Sequence, residues 1–167
     1  VSPFYIPMLI SNMAAGQVAI ATGAKGCNIT TSTACASGTH AIGQAYTEIA
    51  IGRADTIICG GVEAPICPMG LSGFAALKAL CSDHNDDPEH ASRPFDLDRS
   101  GFVISEGTGL LMLEALDSAL ARGAKILAEI RGFGTSADAY HMTAPEENGA
   151  GMALAMKNAI EDAGLSP

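Results

Sequence analysis

The chain has 167 residues, of which 48% are hydrophobic and only 16% charged, with a formal net charge of −9. That is one domain by length, with enough apolar material to bury a core. The acidic balance and the scattered Lys and Arg exclude an electrostatic nucleic-acid binder and a basic membrane-surface patch, and no stretch reaches the ~18 consecutive apolar residues of a membrane span.

In chain order, residues 4–23 are apolar nearly all round and predict a buried helix, weakened at Gly16 and ended by Gly23. Residues 27–32 are short and rich in β-branched types, the pattern of a strand. Ala41, Ile42, Ala45 and Ile49 then recur at helical spacing over 36–51, with Gly52 as terminator. The apolar run Thr56-Ile57-Ile58-Cys59, closed by Gly60-Gly61, predicts a strand covered on both faces. Together these make a βαβ unit, whose right-handed crossover would leave the strands 27–32 and 56–59 parallel.

Residues 62–73 read as loop, 73–80 as a short helix and 82–100 as a polar solvated loop. Two apolar pieces, 101–105 and 108–114, predict strands flanking Glu106-Gly107. A short helix with Leu116, Ala119 and Leu120 ends at Gly123, 125–134 predicts another strand, and 135–148 is loop. Asn148 is expected to cap a last helix with the stripe Met152, Met156, Ala159, Ile160 and Ala163, ended by Gly164. The chain opens on a helix with no strand before it and stops after a helix, at Leu165-Ser166-Pro167. Alternating α/β patterns normally continue past such points, so both ends are expected to be cut.

Five cysteines are present, Cys27, Cys35, Cys59, Cys67 and Cys81, with no C-x-x-C pair. An odd count without that spacing suggests neither a disulfide framework nor a metal site, and points to a reducing, cytoplasmic compartment. Cys35 differs from the others in context, since Thr33-Ala34-Cys35-Ala36-Ser37-Gly38 lies where the strand 27–32 passes into the helix. Sulfur attacks as thiolate, and a helix N-terminus favours the anion through its unpaired N–H groups and dipole. The small neighbours leave room for a substrate. On spacing alone, two readings of Cys35 stand: a nucleophile on a strand-to-helix turn, or a small buried hydrophobe.

The segment 33–38, followed by His40-Ala41-Ile42-Gly43, resembles the nucleophile segment of the β-ketoacyl-acyl carrier protein synthases, most of all the type II elongating enzymes. Cys59-Gly60-Gly61-Val62-Glu63, Gly73-Phe74-Ala75-Ala76-Leu77, Ser92-Arg93-Pro94-Phe95-Asp96, Arg99-Ser100-Gly101-Phe102-Val103, Glu106-Gly107-Thr108-Gly109 and Asp138-Ala139-Tyr140-His141-Met142-Thr143 are similar to further family signatures, in the family's order.

The resemblance implies an α/β, thiolase-like layered fold, here partial. Residues 1 to about 100 would close the N-terminal half, and about 101 to 167 would open the C-terminal half. It implies Cys35 as the nucleophile, with its backbone N–H as one oxyanion donor. Phe74 would stand at the bottom of the acyl pocket, where an ordinary core Phe is the plainer reading. His141 and Thr143 would line the substrate pocket, although a hydrogen-bonded loop histidine fits His141 equally well. Lys78 stands where elongating enzymes carry Arg near the carrier docking site. The implied partners are acyl carrier protein bearing acyl and malonyl groups and a second copy in a homodimer. No metal or other cofactor is implied.

The family decarboxylates malonyl with two histidines, in a His-Gly-Thr and a later Gly-His segment. The histidines here, His40, His84, His90 and His141, lie in neither, so the chain alone is expected not to condense. Rival readings are a polyketide ketosynthase, a degradative thiolase (disfavoured by the segments after Gly60), a chain-length-factor partner (disfavoured by the cysteine itself) and a self-associating scaffold.

Overall fold

In the computed structural model, residues 2–166 are described; Val1 and Pro167, the two chain ends, lie outside them. The elements are α1 (Tyr5–Leu9), α2 (Met13–Thr22), α3 (Ser37–Ala50), β1 (Thr56–Glu63), α4 (Pro68–Ala76), β2 (Gly107–Glu114), α5 (Leu116–Ala121) and α6 (Ala150–Asp162). Short 3-10 turns cover Ala34–Ala36 and Pro88–His90. Among the described residues the sheet has two strands, β1 and β2. The Ala115 N–H donates to the Asp55 carbonyl at 2.9 Å, so the start of β1 meets the end of β2 and the pair runs antiparallel.

Contacts divide the chain into two compact units: residues up to Gly61 with those from Leu110 on, and Val62–Gly109. In the first, the segment 131–136 is held by α3 and α6. Gly43, buried in α3, lies against the Phe133 ring, and the Tyr46 hydroxyl donates to the Arg131 carbonyl at 3.1 Å. Gly132 and Gly134 lie against the α6 backbone around Ala155, Ala159 and Ala163. The Phe133 N–H donates to Asp162 Oδ2 and the Asn158 amide to the Thr135 carbonyl, both at 2.9 Å. In the second unit, α4 is followed by a parallel bridge between Leu80 and Phe102, and Phe74 meets Phe102 edge-on. The Ile66 N–H donates to Glu106 Oε1 at 3.1 Å, and 82–100 is loop and turn, as its polarity predicts.

Several expectations need correction. The helix over 4–23 is broken at Ile10, which is extended, and α1 and α2 bury none of their residues. Residues 27–32 and 125–134 form no strand, because strand identity needs a hydrogen-bonded neighbour and neither segment has one among the described residues. The parallel βαβ pairing is therefore not formed. Of the predicted strand 101–105 only the Phe102 bridge exists. The helix expected over 73–80 starts earlier, at Pro68, whose fixed φ suits a first helical position. The N-cap of α6 is not Asn148 but Gly149, in the left-handed region, and the Ala150 N–H that follows donates to Glu146 Oε2 at 3.0 Å. In β1 only Cys59 is buried.

The buried hydrophobic residues are small: Ala45, Cys59, Ala91 and Ala119. The accessible surface is 12748 Å², against about 7,700 Å² for a closed monomer of 17.0 kDa. Packing is close where glycines and alanines meet backbone, and the larger apolar side chains stay open.

Candidate active site

The turn into α3 is built by its own polar side chains. The Ser37 hydroxyl accepts the Thr33 N–H at 2.8 Å and donates to the Ala34 carbonyl at 2.7 Å. The Thr31 hydroxyl donates to the Ser37 carbonyl at 2.8 Å, and Thr33 Oγ1 pairs with His40 Nδ1 at 2.7 Å. His40 in turn meets Phe133 edge-on, with ring centroids 6.0 Å apart. These bonds close around Ala34, which sits in the left-handed region at φ 50°. For a residue with a Cβ that conformation costs roughly 1–2 kcal/mol and persists only where the surroundings determine it. Ala34, Cys35 and Ala36 form one 3-10 turn, and α3 begins immediately after it, at Ser37. Gly38 approaches Gly61 so closely that Cβ atoms on either side would be in tight contact. The missing side chains let the start of α3 lie directly on β1.

Cys35 is exposed, so the buried-hydrophobe reading does not describe it. Cys27 and Cys67 are exposed as well, and Cys81 is half-buried. Cys59 is the buried one, and burial pushes its thiol pKa up, away from the reactive thiolate. Cys67 is occupied locally, its sulfur accepting the Gly70 N–H at 3.4 Å as the cap of α4.

The other expected site residues fall as follows. His141 Nδ1 accepts the N–H groups of Thr143 and Ala144, each at 3.1 Å, which makes it the non-protonated nitrogen of a loop-bonded imidazole. Phe74 is partly exposed, with its ring 6.2 Å from that of Phe102. Lys78 is exposed just past α4, in the left-handed region at φ 54°. Cys35, His141 and Thr143 belong to the first compact unit, Phe74 and Lys78 to the second.

Within the first unit a cavity of about 330 Å³ opens between the start of α3 and the start of α6. Thr39, His40, Ser136, Asp138, Gly151 and Met152 are among its lining residues; Cys35, His141 and Thr143 are not. The brace of Thr31, Thr33, Ser37 and His40 was not among the sequence-derived site residues. Its one visible signal was the density of hydroxyl residues flanking Cys35, since the left-handed turn at an alanine leaves no mark in the sequence.

The chain is similar to known proteins along its length. Residues 1–119 match the family described as Beta-ketoacyl synthase, N-terminal domain, and residues 127–167 its C-terminal domain. The 3-oxoacyl-[acyl-carrier-protein] synthase 2 of Rhizobium meliloti is 53% identical over 99% of this chain. That of Synechocystis is 56% identical over 99%, and that of Staphylococcus aureus 55% over 100%. The chain spans only 39–41% of the length of these relatives. Among solved structures, the ketosynthase of a type II PKS, in complex with its acyl-carrier protein and bound to the hexaketide, superposes with a TM-score of 0.95 at 40% identity. That match covers 100% of this chain and 41% of the other. A beta-ketoacyl synthase from Burkholderia phymatum reaches 0.85 at 44% identity, covering 92% of this chain and 37% of that one. The α/β, thiolase-like ketosynthase fold read from the motifs is thus the one the chain shares with its structural neighbours, and the chain belongs to the β-ketoacyl synthase family.

Proposed function

We propose that the chain is the nucleophile-bearing part of a 3-oxoacyl-acyl carrier protein synthase, an acyltransferase of fatty acid synthesis, in which Cys35 carries the growing acyl group. The observation that supports this most is an exposed thiol on a tightly hydrogen-bonded turn at the start of a 14-residue helix, in a chain of this family.

The reaction follows from sulfur chemistry. The Cys35 thiolate attacks the thioester carbonyl of an acyl carrier protein; the oxyanion collapses and expels the carrier thiolate, leaving the acyl group on Cys35. The Cys35 backbone N–H serves as one donor to the developing oxyanion. A malonyl group on a second carrier then loses carbon dioxide, and the resulting carbanion attacks the acyl-cysteine. A 3-oxoacyl group leaves on the carrier and the thiolate is restored.

In this reading Phe74 floors the acyl pocket and His141 and Thr143 line the substrate path. Lys78 offers its ammonium to the acidic carrier, as a point charge without the bidentate fork of an Arg. The working protein is a cytoplasmic homodimer. Five free cysteines are consistent with that compartment, and no described helix is long and apolar enough to cross a membrane. A polyketide ketosynthase is the second reading, favoured by the superposition on the type II PKS ketosynthase; the higher identity to the 3-oxoacyl synthases favours the first.

Because neither histidine segment of the decarboxylating machinery occurs here, the 167 residues alone are expected to stop at the acyl-cysteine. Incubation with acyl- and malonyl-carrier protein, followed by mass spectrometry, tests this. Acyl mass on the Cys35 peptide with no 3-oxoacyl product is the expected result. No acyl mass on Cys35 would overturn the assignment, and 3-oxoacyl product would overturn the arrest at the first stage.

A further inference from the structure

We infer that Ser37 is a positioning residue for acyl transfer, acting through the peptide group between Ala34 and Cys35; this rests on the reading of Cys35 as the acyl acceptor. The carbonyl of Ala34 and the N–H of Cys35 belong to one planar trans peptide unit, so they point in opposite directions. Whatever fixes the carbonyl therefore aims the N–H. The Ser37 hydroxyl fixes it, donating to that carbonyl at 2.7 Å while accepting the Thr33 N–H at 2.8 Å. One oxygen thus ties the Ser32–Thr33 peptide to the Ala34–Cys35 peptide, across the left-handed Ala34. The Ser37 backbone N–H donates to the same carbonyl. The hydroxyl is what links that carbonyl back to Thr33.

The Ser37 side is held in turn by the Thr31 hydroxyl on its carbonyl. Among the described residues no hydrogen bond takes up the Cys35 N–H. It is a free donor beside an exposed sulfur, aimed by a neighbour whose hydroxyl bonds two backbone groups.

The consequence is specific to chemistry that develops an oxyanion. In acyl transfer the sulfur attacks the carbonyl carbon and the electron pair moves onto oxygen, which needs the aimed N–H; collapse then expels the thiolate leaving group, which takes up a proton. In alkylation by iodoacetamide the sulfur displaces iodide at a methylene carbon and no oxyanion forms at the reacting carbon. Removing the Ser37 hydroxyl should slow the first reaction and spare the second. Losing an oxyanion donor outright costs about 10²–10³-fold; loosening its aim, with the backbone bond to Ala34 kept, should cost on the order of tenfold.

The experiment compares the 167-residue chain with Ser37→Ala and Ser37→Thr. Cys35 acylation by an acyl N-acetylcysteamine thioester and alkylation by iodoacetamide are each followed by peptide mass spectrometry, the latter across pH. Ser37→Ala should acylate about tenfold more slowly while its alkylation rate and pH profile stay within about threefold. Ser37→Thr, which keeps the hydroxyl, should stay within about threefold in both, and decides the matter should Ser37→Ala not fold. Equal acylation of Ser37→Ala and the parent, an equal slowing of both reactions, or a loss of acylation in Ser37→Thr would overturn the inference alone. A parent chain that takes no acyl group at Cys35 would remove the reading of the cysteine itself.

Discussion

Gly43 shows how one missing methyl group places the nucleophile helix. A Cβ there would run into the Phe133 ring, which also meets His40 edge-on, itself paired with Thr33 of the turn. Replacement by Ala brings opposing effects. Helix propensity gains about 1 kcal/mol, while forcing a methyl into a packed contact loses about 1–3 kcal/mol. The clash should win, and Gly43→Ala is expected to lower unfolding stability by about 1 kcal/mol, measured by urea titration. With Phe133→Ala beside it the same change should become neutral or stabilising; a double-mutant cycle without coupling would contradict the contact. At this scale the residue types around Cys35 were legible, since sulfur among small residues at a predicted strand-to-helix passage singled out one cysteine of five. The Ser37 brace was not, because a hydroxyl that bridges two peptide groups depends on a local φ that composition does not encode.

Four helix ends share one left-handed closure. α3, α5 and α6 each close with glycine at φ between 66 and 73°, at Gly52, Gly123 and Gly164. In each, the following N–H bonds back to the carbonyl five residues earlier: Arg53 to Glu48, Ala124 to Ala119, Leu165 to Ile160. α4 makes the same closure, Ala79 to Phe74, with Lys78 in the left-handed position. Lys78→Gly should therefore stabilise the chain by roughly 1 kcal/mol, read as a raised urea midpoint; an unchanged midpoint would mean the turn carries no strain.

The end of β2 offers a pH test. Arg122 makes a two-pronged hydrogen bond to Glu114, at 2.7–3.0 Å, with Ser118 adding a third donor at 2.9 Å. The bond from Arg122 holds the Glu114 carboxyl below the usual glutamate range; burial pushes back against it, and the Ser118 bond adds a lesser lowering. A depressed folded value means the unfolded state binds the proton more tightly. The stabilisation is thus complete above the unfolded value of about 4.3 and is lost as pH falls through the lower, folded one. Stability against urea should fall between about pH 5 and 3, with a shallower slope in Glu114→Gln; identical slopes would contradict the pairing. The helix stops were legible because glycine's freedom is written in the residue type. The strands 27–32 and 125–134 were not, because their β-branched and apolar content describes a preference that only a hydrogen-bonded neighbour realises.

The whole molecule leaves much of its apolar material uncovered. Phe4, Ile6, Met8, Ile20, Leu127 and Met156 are all well exposed, and the total surface exceeds that of a closed monomer of this mass by more than half. Apolar patches of this extent favour association, so sedimentation should show concentration-dependent oligomers of the isolated chain; a monomer at every concentration would contradict it. The high hydrophobic and low charged content fits either a buried interior or such open faces, and composition does not say which.

The reading depends most on Cys35 being chemically distinct. The direct measurement is the native-state alkylation rate of each of the five cysteines by iodoacetamide, resolved by peptide mass spectrometry. We expect Cys35 to react fastest, ahead of the other exposed thiols Cys27 and Cys67, and Cys59 slowest because burial raises its pKa. Equal rates at Cys27, Cys35 and Cys67 would contradict the account, since exposure alone would then explain the reactivity and the turn into α3 would add nothing.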